Sequence, residues 1–182
     1  DPKKVLDKEV LIKVNFFSLN PLDYKLRNGM LKLMTFRTFP RTTGSDFSGE
    51  IIAKGESVNN FEIGEKVFGF LSQLNEGTSS QFIKVNQSIL SKAPSNIDIG
   101  KAAAVPLAAL TSYQALVQLA KIKKGNKVLI NGASGGTGIF AIQIAKIFGA
   151  KVTSITSHRN INWMLDTFLV DEAIDYTKEN SL

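Results

Sequence analysis

Cysteine is absent from this 182-residue sequence. Its absence excludes disulfides and thiolate metal sites and fits a reducing compartment, read here as the cytoplasm. Histidine occurs once, as His158. No apolar run reaches the ~18 residues of a membrane span. The start, DPKKVLDKEV, carries basic residues without the apolar segment of a signal peptide. Repeats and low-complexity tracts are also missing. Acidic residues are absent from 99–165, where Lys101, Lys121, Lys123, Lys124, Lys127, Lys146, Lys151 and Arg159 stand against a whole-chain charge of +6. Such a segment attracts polyanions, either nucleic acid or a phosphate-bearing cofactor. A solvated lysine surface is the alternative for most of these side chains. No nucleic-acid docking element is recognisable, so nucleic acid is not an expected partner.

What is present divides into two styles. The length suggests one or two domains, and 43% hydrophobic residues suffice for a soluble core. Residues 10–20 (VLIKVNFFSLN) read as a strand, and 21–29 as a short helix opened by Pro21 and stopped by Asn28 and Gly29. GEIIAKG, EKVFGFL and SQFIKV are further strands separated by turn residues, the spacing of a small barrel or sandwich. Pro94 and Ser95 mark a linker, and Asp98 is a helix cap. The alanine-rich run after it should be kinked or split at Pro106. Beyond it strand and helix alternate, as in a parallel α/β sheet, with Gly149 ending the first helix. The expected domains are 1–95 and 96–182.

The run KVLINGASGGTGIF carries the chemistry. The dinucleotide fingerprint G-x-G-x-x-G falls on Ala133, Gly135 and Gly138, with alanine in the first place. Its positions serve a tight turn, close approach of backbone to pyrophosphate, and close packing of helix on strand. Helix-start amides at Gly136 and Thr137 then point at phosphate. A glycine turn that only packs strand to helix is the alternative. An NAD site usually ends its second strand in a carboxylate that binds the ribose. Here Ser157, His158 and Arg159 occupy that place. A guanidinium without a carboxylate favours the extra ribose phosphate of NADPH. A surface charge at a helix start is the other reading of Arg159, and His158 is read as exposed and incidental.

SLNPLDYKLRNG, TGSDFSGEI, FEIGEKVFGF, AAAVPLAALTSYQAL, VLINGASGGTG, TSHRN and DEAIDYTKE follow one another in order. Together they resemble the zinc-independent quinone oxidoreductase branch of the medium-chain dehydrogenase/reductase superfamily. The resemblance implies an α/β protein with a GroES-like, β-rich substrate domain followed by a Rossmann domain, and an active site in the cleft between them. It also implies a chain lacking the first strand or two and stopping about halfway through the Rossmann fold. In zinc-dependent relatives the ligand places correspond to Asn20 and Ser45, neither a good zinc ligand, so no metal is expected. The implied reaction is NADPH-dependent hydride transfer to a small quinone or α,β-unsaturated carbonyl, by a homodimer when full length. A catalytically idle NADPH-binding redox sensor or partner subunit is the alternative. Asn20 would orient the nicotinamide or a substrate carbonyl, unless it only caps the turn before Pro21. Tyr24 would donate a proton or hydrogen bond, unless it packs on the short helix. The family places a threonine like Thr111 near the nicotinamide, although a helical threonine can bond its own backbone. Tyr176 matches a family tyrosine that approaches the same phosphate as Ser157 and Arg159. Leu169 stands where a glycine is expected, so the turn into the third strand is open to change.

Overall fold

A computed structural model describes residues 5–30, 42–72 and 77–178. Residues 1–4 and 179–182, where readings of the two chain ends fall, lie outside the described residues. The chain divides into two compact units, Asp1–Leu107 and Ala108–Leu182.

The first unit holds an antiparallel sheet of β1 (Glu9–Phe17), β2 (Asp46–Lys54), β3 (Lys66–Phe70), β4 (Phe82–Asn86) and β5 (Leu90–Lys92), in the order β4-β1-β2-β3-β5. Alternation builds it. Val10 and Ile12 pair with Val85 and Ile83 across β1 and β4, and all four are buried with Phe47, Ile51 and Val67. Burial of each such side chain contributes about 1.5–3 kcal/mol. Helix α1 (Pro21–Arg27) begins with Pro21, whose missing N–H costs nothing at a first turn. It ends where Gly29 takes φ +76° and the Gly29 and Met30 amides bond Leu26 and Lys25 carbonyls, at 3.1 Å each.

Asp98 caps α2 (Ile99–Ala102), its Oδ1 accepting from the Gly100 amide at 2.7 Å. The run then breaks and restarts at Pro106 as α3 (Pro106–Tyr113), the split expected from proline. A wider π turn, Gln114–Leu119, follows, with the Ala120 amide bonding the Ala115 carbonyl at 2.9 Å. Two bonds tie α2 and the first turn of α3 to β2. Ser48 Oγ donates to the Ile99 carbonyl at 2.6 Å, and the Leu107 amide donates to Asp46 Oδ1 at 2.8 Å.

The second unit runs β6 (Lys127–Asn131), α4 (Gly136–Ile147), β7 (Lys151–Thr156), α5 (Ile161–Asp166) and β8 (Glu172–Asp175), with the strands parallel in the order β6-β7-β8. Its core gathers Ile130, Ala133, Ile142, Ala145, Val152 and Met164. Gly149 (φ +72°) ends α4, with its own amide bonding Lys146 and the Ala150 amide bonding Ala145. A β-rich antiparallel unit thus precedes the opening of a doubly wound parallel sheet, as the motif order implies. Among the described residues, no helix is long and apolar enough to cross a membrane.

Leu169 keeps the turn that a glycine would make. Its φ is +52°, a left-handed conformation that strains a side chain bearing Cβ, and the residue is exposed. Leu169→Gly is therefore expected to raise stability by roughly 1 kcal/mol. Urea unfolding of both proteins checks this, and an unchanged or lowered midpoint is the contrary result.

Candidate functional site

In the first unit the site grows from one buried charge. Asp46 opens β2 and is fully buried. Its Oδ2 accepts from Ser18 Oγ at 2.8 Å and from Asn20 Nδ2 at 2.9 Å, while Oδ1 takes the Leu107 amide. Burial raises its pKa above the ordinary carboxylate range, and the three hydrogen bonds offset part of that rise. A second carboxylate, Asp23, is also buried, accepting from the Asn20 amide at 2.6 Å and the Gly44 amide at 3.0 Å. Asn20 is thus held from both sides at the join of β1 and α1. Tyr24 follows on α1, half exposed, with no hydrogen bond at its hydroxyl among the described residues. An open groove of about 170 Å³ is lined by Leu19, Asn20, Asp23, Tyr24, Arg27 and Thr43. It therefore brings together Asn20 and Tyr24. Asp46, which fixes Asn20, was not singled out from sequence. The available signal was an acid opening an otherwise apolar strand, in DFSGEII.

The donor set does not fit zinc. Both Nδ2 hydrogens of Asn20 have protein partners, and Ser45 is a buried hydroxyl. Among the described residues, no three His, Cys, Asp or Glu side chains gather around a possible metal position.

In the second unit the left-handed turn after β6 falls on Gly132 (φ +69°), one residue before Ala133. Ala133 can therefore carry a Cβ, which is buried in the core. A Cβ on Gly138 would meet the Ala133 carbonyl at 2.5 Å, so this glycine serves close packing. A Cβ on Gly136 would meet nothing within 4 Å, leaving the helix start open for a ligand to approach. The Ile139 amide bonds the Gly135 carbonyl at 3.0 Å. The amides of Gly136, Thr137 and Gly138 precede that first helical bond and have no partner within the helix. These features fit a pyrophosphate.

The loop after β7 is tied to this turn. Ser134 Oγ accepts from Thr156 Oγ1 and Asn160 Nδ2, each at 2.9 Å. The Tyr176 amide bonds the Thr156 carbonyl at 3.2 Å, so Ser157, Arg159 and Tyr176 follow the carboxyl ends of the neighbouring strands β7 and β8. Arg159 is exposed and makes no ion pair among the described residues. Thr111 is exposed on α3 beside Ser112, whose Oγ lies 2.9 Å from the Ala108 carbonyl and 2.8 Å from the Thr137 carbonyl. His158 is exposed as expected, but it has a partner: Nδ1 lies 3.0 Å from Asp175 Oδ2. Parallel register sets Asp175 opposite Thr156, so a carboxylate does stand near the end of β7. It is committed to the Thr177 hydroxyl and amide and to His158, and these bonds, the Thr177 hydroxyl foremost, hold its pKa below the ordinary value. Ser134, Asn160 and Asp175 carried no signal in the sequence apart from this pairing.

Comparison with known proteins agrees with both halves. Residues 6–95 match the alcohol dehydrogenase GroES-like domain. The chain is 35% identical over 181 residues to the chloroplastic quinone-oxidoreductase homolog of Spinacia oleracea, covering 97% of this chain and 54% of that protein. It is 35% identical over 185 residues to the mitochondrial NAD(P)H oxidoreductase RTN4IP1 of Mus musculus, covering 93% of this chain and 46% of that protein. Among solved structures, the quinone oxidoreductase from Coxiella burnetii superposes with a TM-score of 0.87 at 36% identity, covering 97% of this chain and 56% of that one. The chain spans about half the length of the relatives it matches.

Two outcomes follow from this geometry. Gly138→Ala should lower stability by roughly 1–3 kcal/mol through overpacking, whereas Gly136→Ala should leave the fold intact; thermal unfolding separates them, and equal effects count against the packing role. Asp46 gives a pH signature. Its folded pKa is raised, so its contribution to stability is fully present below the unfolded value and declines as pH rises through the folded value. The stability difference between wild type and Asp46→Asn should fall across that window, and a flat difference contradicts it.

Proposed function

The chain belongs to the quinone-oxidoreductase type of the medium-chain dehydrogenase/reductase superfamily, and from that premise we propose that the protein is an NADPH-dependent oxidoreductase that reduces a quinone or an α,β-unsaturated carbonyl without zinc. One observation carries the coenzyme choice: the carboxyl ends of the parallel strands join an open glycine turn to a guanidinium that makes no ion pair among the described residues, and the carboxylate opposite Thr156 is already engaged. NADPH, when bound, supplies a hydride to an acceptor that needs little activation. Ala133 packs the base of the turn and Gly138 lets α4 lie close to it, while Gly135, Gly136 and Thr137 bind the pyrophosphate through backbone. Ser157, Arg159 and Tyr176 hold the ribose phosphate, and Thr111 approaches the nicotinamide. Asn20 and Tyr24 line the substrate groove, where Tyr24 gives a hydrogen bond or the proton that completes reduction.

In this reading residues 1–95 serve the substrate and 96–182 the coenzyme. The full-length protein is a homodimer, which sedimentation checks. A cytoplasmic location rests on the cysteine-free composition, while the names of the compared relatives include chloroplastic and mitochondrial proteins, so cell fractionation decides it.

Coenzyme titration tests the central step. A charge-assisted hydrogen bond is worth about 1.5–3 kcal/mol, or about one to two decades of affinity. Arg159→Ala should weaken NADPH by that amount and leave NADH nearly unchanged, because only NADPH carries the phosphate. Equal losses for both coenzymes would assign Arg159 to the shared adenosine or to the fold.

A further inference from the structure

The side-chain amide of Asn20 has a donor end and an acceptor end, and its surroundings distinguish them. Nδ2 lies 2.9 Å from Asp46 Oδ2 and 3.2 Å from Ser18 Oγ. An amide nitrogen has two hydrogens, so both are committed. The direction follows from Asp46. An ionised carboxylate only accepts, so it admits the NH2 end and rejects the oxygen. Asp46 cannot turn away, because the Leu107 amide holds Oδ1 at 2.8 Å and Ser18 Oγ holds Oδ2 at 2.8 Å. Its full burial leaves no solvent to substitute for these partners. Asn20 Oδ1 is therefore the polar atom left to meet a ligand in the groove that Asn20 lines. The capping box at the start of α1 uses at most one of its two lone pairs.

We infer that Asp46 is a positioning residue that holds Asn20 with its carbonyl oxygen outward, so that the groove recognises a ligand donating an N–H or O–H and Asn20 does not polarise a substrate carbonyl. The inference rests on the reading of Asn20 as part of the reaction site. Two ligand groups have the required chemistry: the primary carboxamide of the nicotinamide ring and the hydroxyl of a hydroquinone product.

Binding of matched probes to the protein expressed at its full natural length tests this. The first pair is NADP and its 3-acetylpyridine analogue, which replaces the carboxamide by a methyl ketone and has no N–H. The second is hydroquinone and its dimethyl ether, which has no O–H. In the wild type, one pair should favour the donor-bearing member by about three- to tenfold, the value of a neutral hydrogen bond, and which pair does so identifies the ligand group. In Asp46→Asn the new side chain must keep an oxygen toward the Leu107 amide, so it offers NH2 to Asn20. Asn20 then turns over, and the donor preference should vanish or reverse. Ser18→Ala retains Asp46 and should retain the wild-type preference.

A folded Asp46→Asn protein, judged by unchanged circular dichroism, that keeps the wild-type preference overturns the inference while leaving the proposed function standing. If Asn20→Ala leaves both pairs unchanged, Asn20 is outside the site and both readings fail. Should Asp46→Asn not fold, nitrogen-15 spectra of the wild type decide. Slow exchange of the Asn20 side-chain hydrogens supports their bonding to the buried carboxylate, and fast exchange overturns it.

Discussion

A carboxylate without solvent must be surrounded by donors, or it is too costly to keep charged. Asp46 meets that demand from three places in the chain: Ser18 at the end of β1, Asn20 at the threshold of α1, and Leu107 just after the proline that starts α3. Each donor is fixed because the charge needs it. The groove beside α1 inherits its shape from this requirement, since Asn20 cannot move without leaving a buried anion short of a partner. Asp23 repeats the logic from the other side by taking the Asn20 and Gly44 amides. Site geometry in the first unit is a consequence of satisfying two buried acids.

The second unit relies on space instead of charge. Two glycines in one short run have different tasks: Gly132 supplies the left-handed turn, and Gly138 lets α4 lie against the preceding carbonyl. Gly136 leaves the helix start open. Ser134 then joins this turn to the loop after β7 by accepting from Thr156 and Asn160, so the expected pyrophosphate and ribose-phosphate sites form one connected surface. The amides at the start of α4 are fixed by the turn before any ligand arrives, which lowers the cost of binding it.

Features governed by local rules were legible in the sequence. Proline at 21 and 106, glycine at 29 and 149, and Asp98 mark helix boundaries because their effects act within a turn or two. Apolar runs bounded by turn residues indicated β1 to β4, although the strand read over 10–20 ends at Phe17. What escaped depends on long-range register. Asp46 meets Leu107 across 61 residues. Asp175 reaches the end of β7 only because β8 pairs in parallel with one particular offset, which no periodicity encodes. The same register gives His158 its partner. The place of Ala133 in the fingerprint also made sense only once the turn was found on Gly132. Leu169 shows the converse, a conformation retained although the residue best suited to it has been replaced.

The most direct measurement is reduced-coenzyme consumption by the full-length protein, freed of metal by a chelator, with 1,4-benzoquinone and then a simple enone as acceptor. Acceptor-dependent loss of NADPH, faster than that of NADH and unaffected by the chelator, is expected if Arg159 meets the ribose phosphate and the reaction needs no zinc. NADPH that binds but is not oxidised by either acceptor, or oxidation that returns only when zinc is restored, would contradict it.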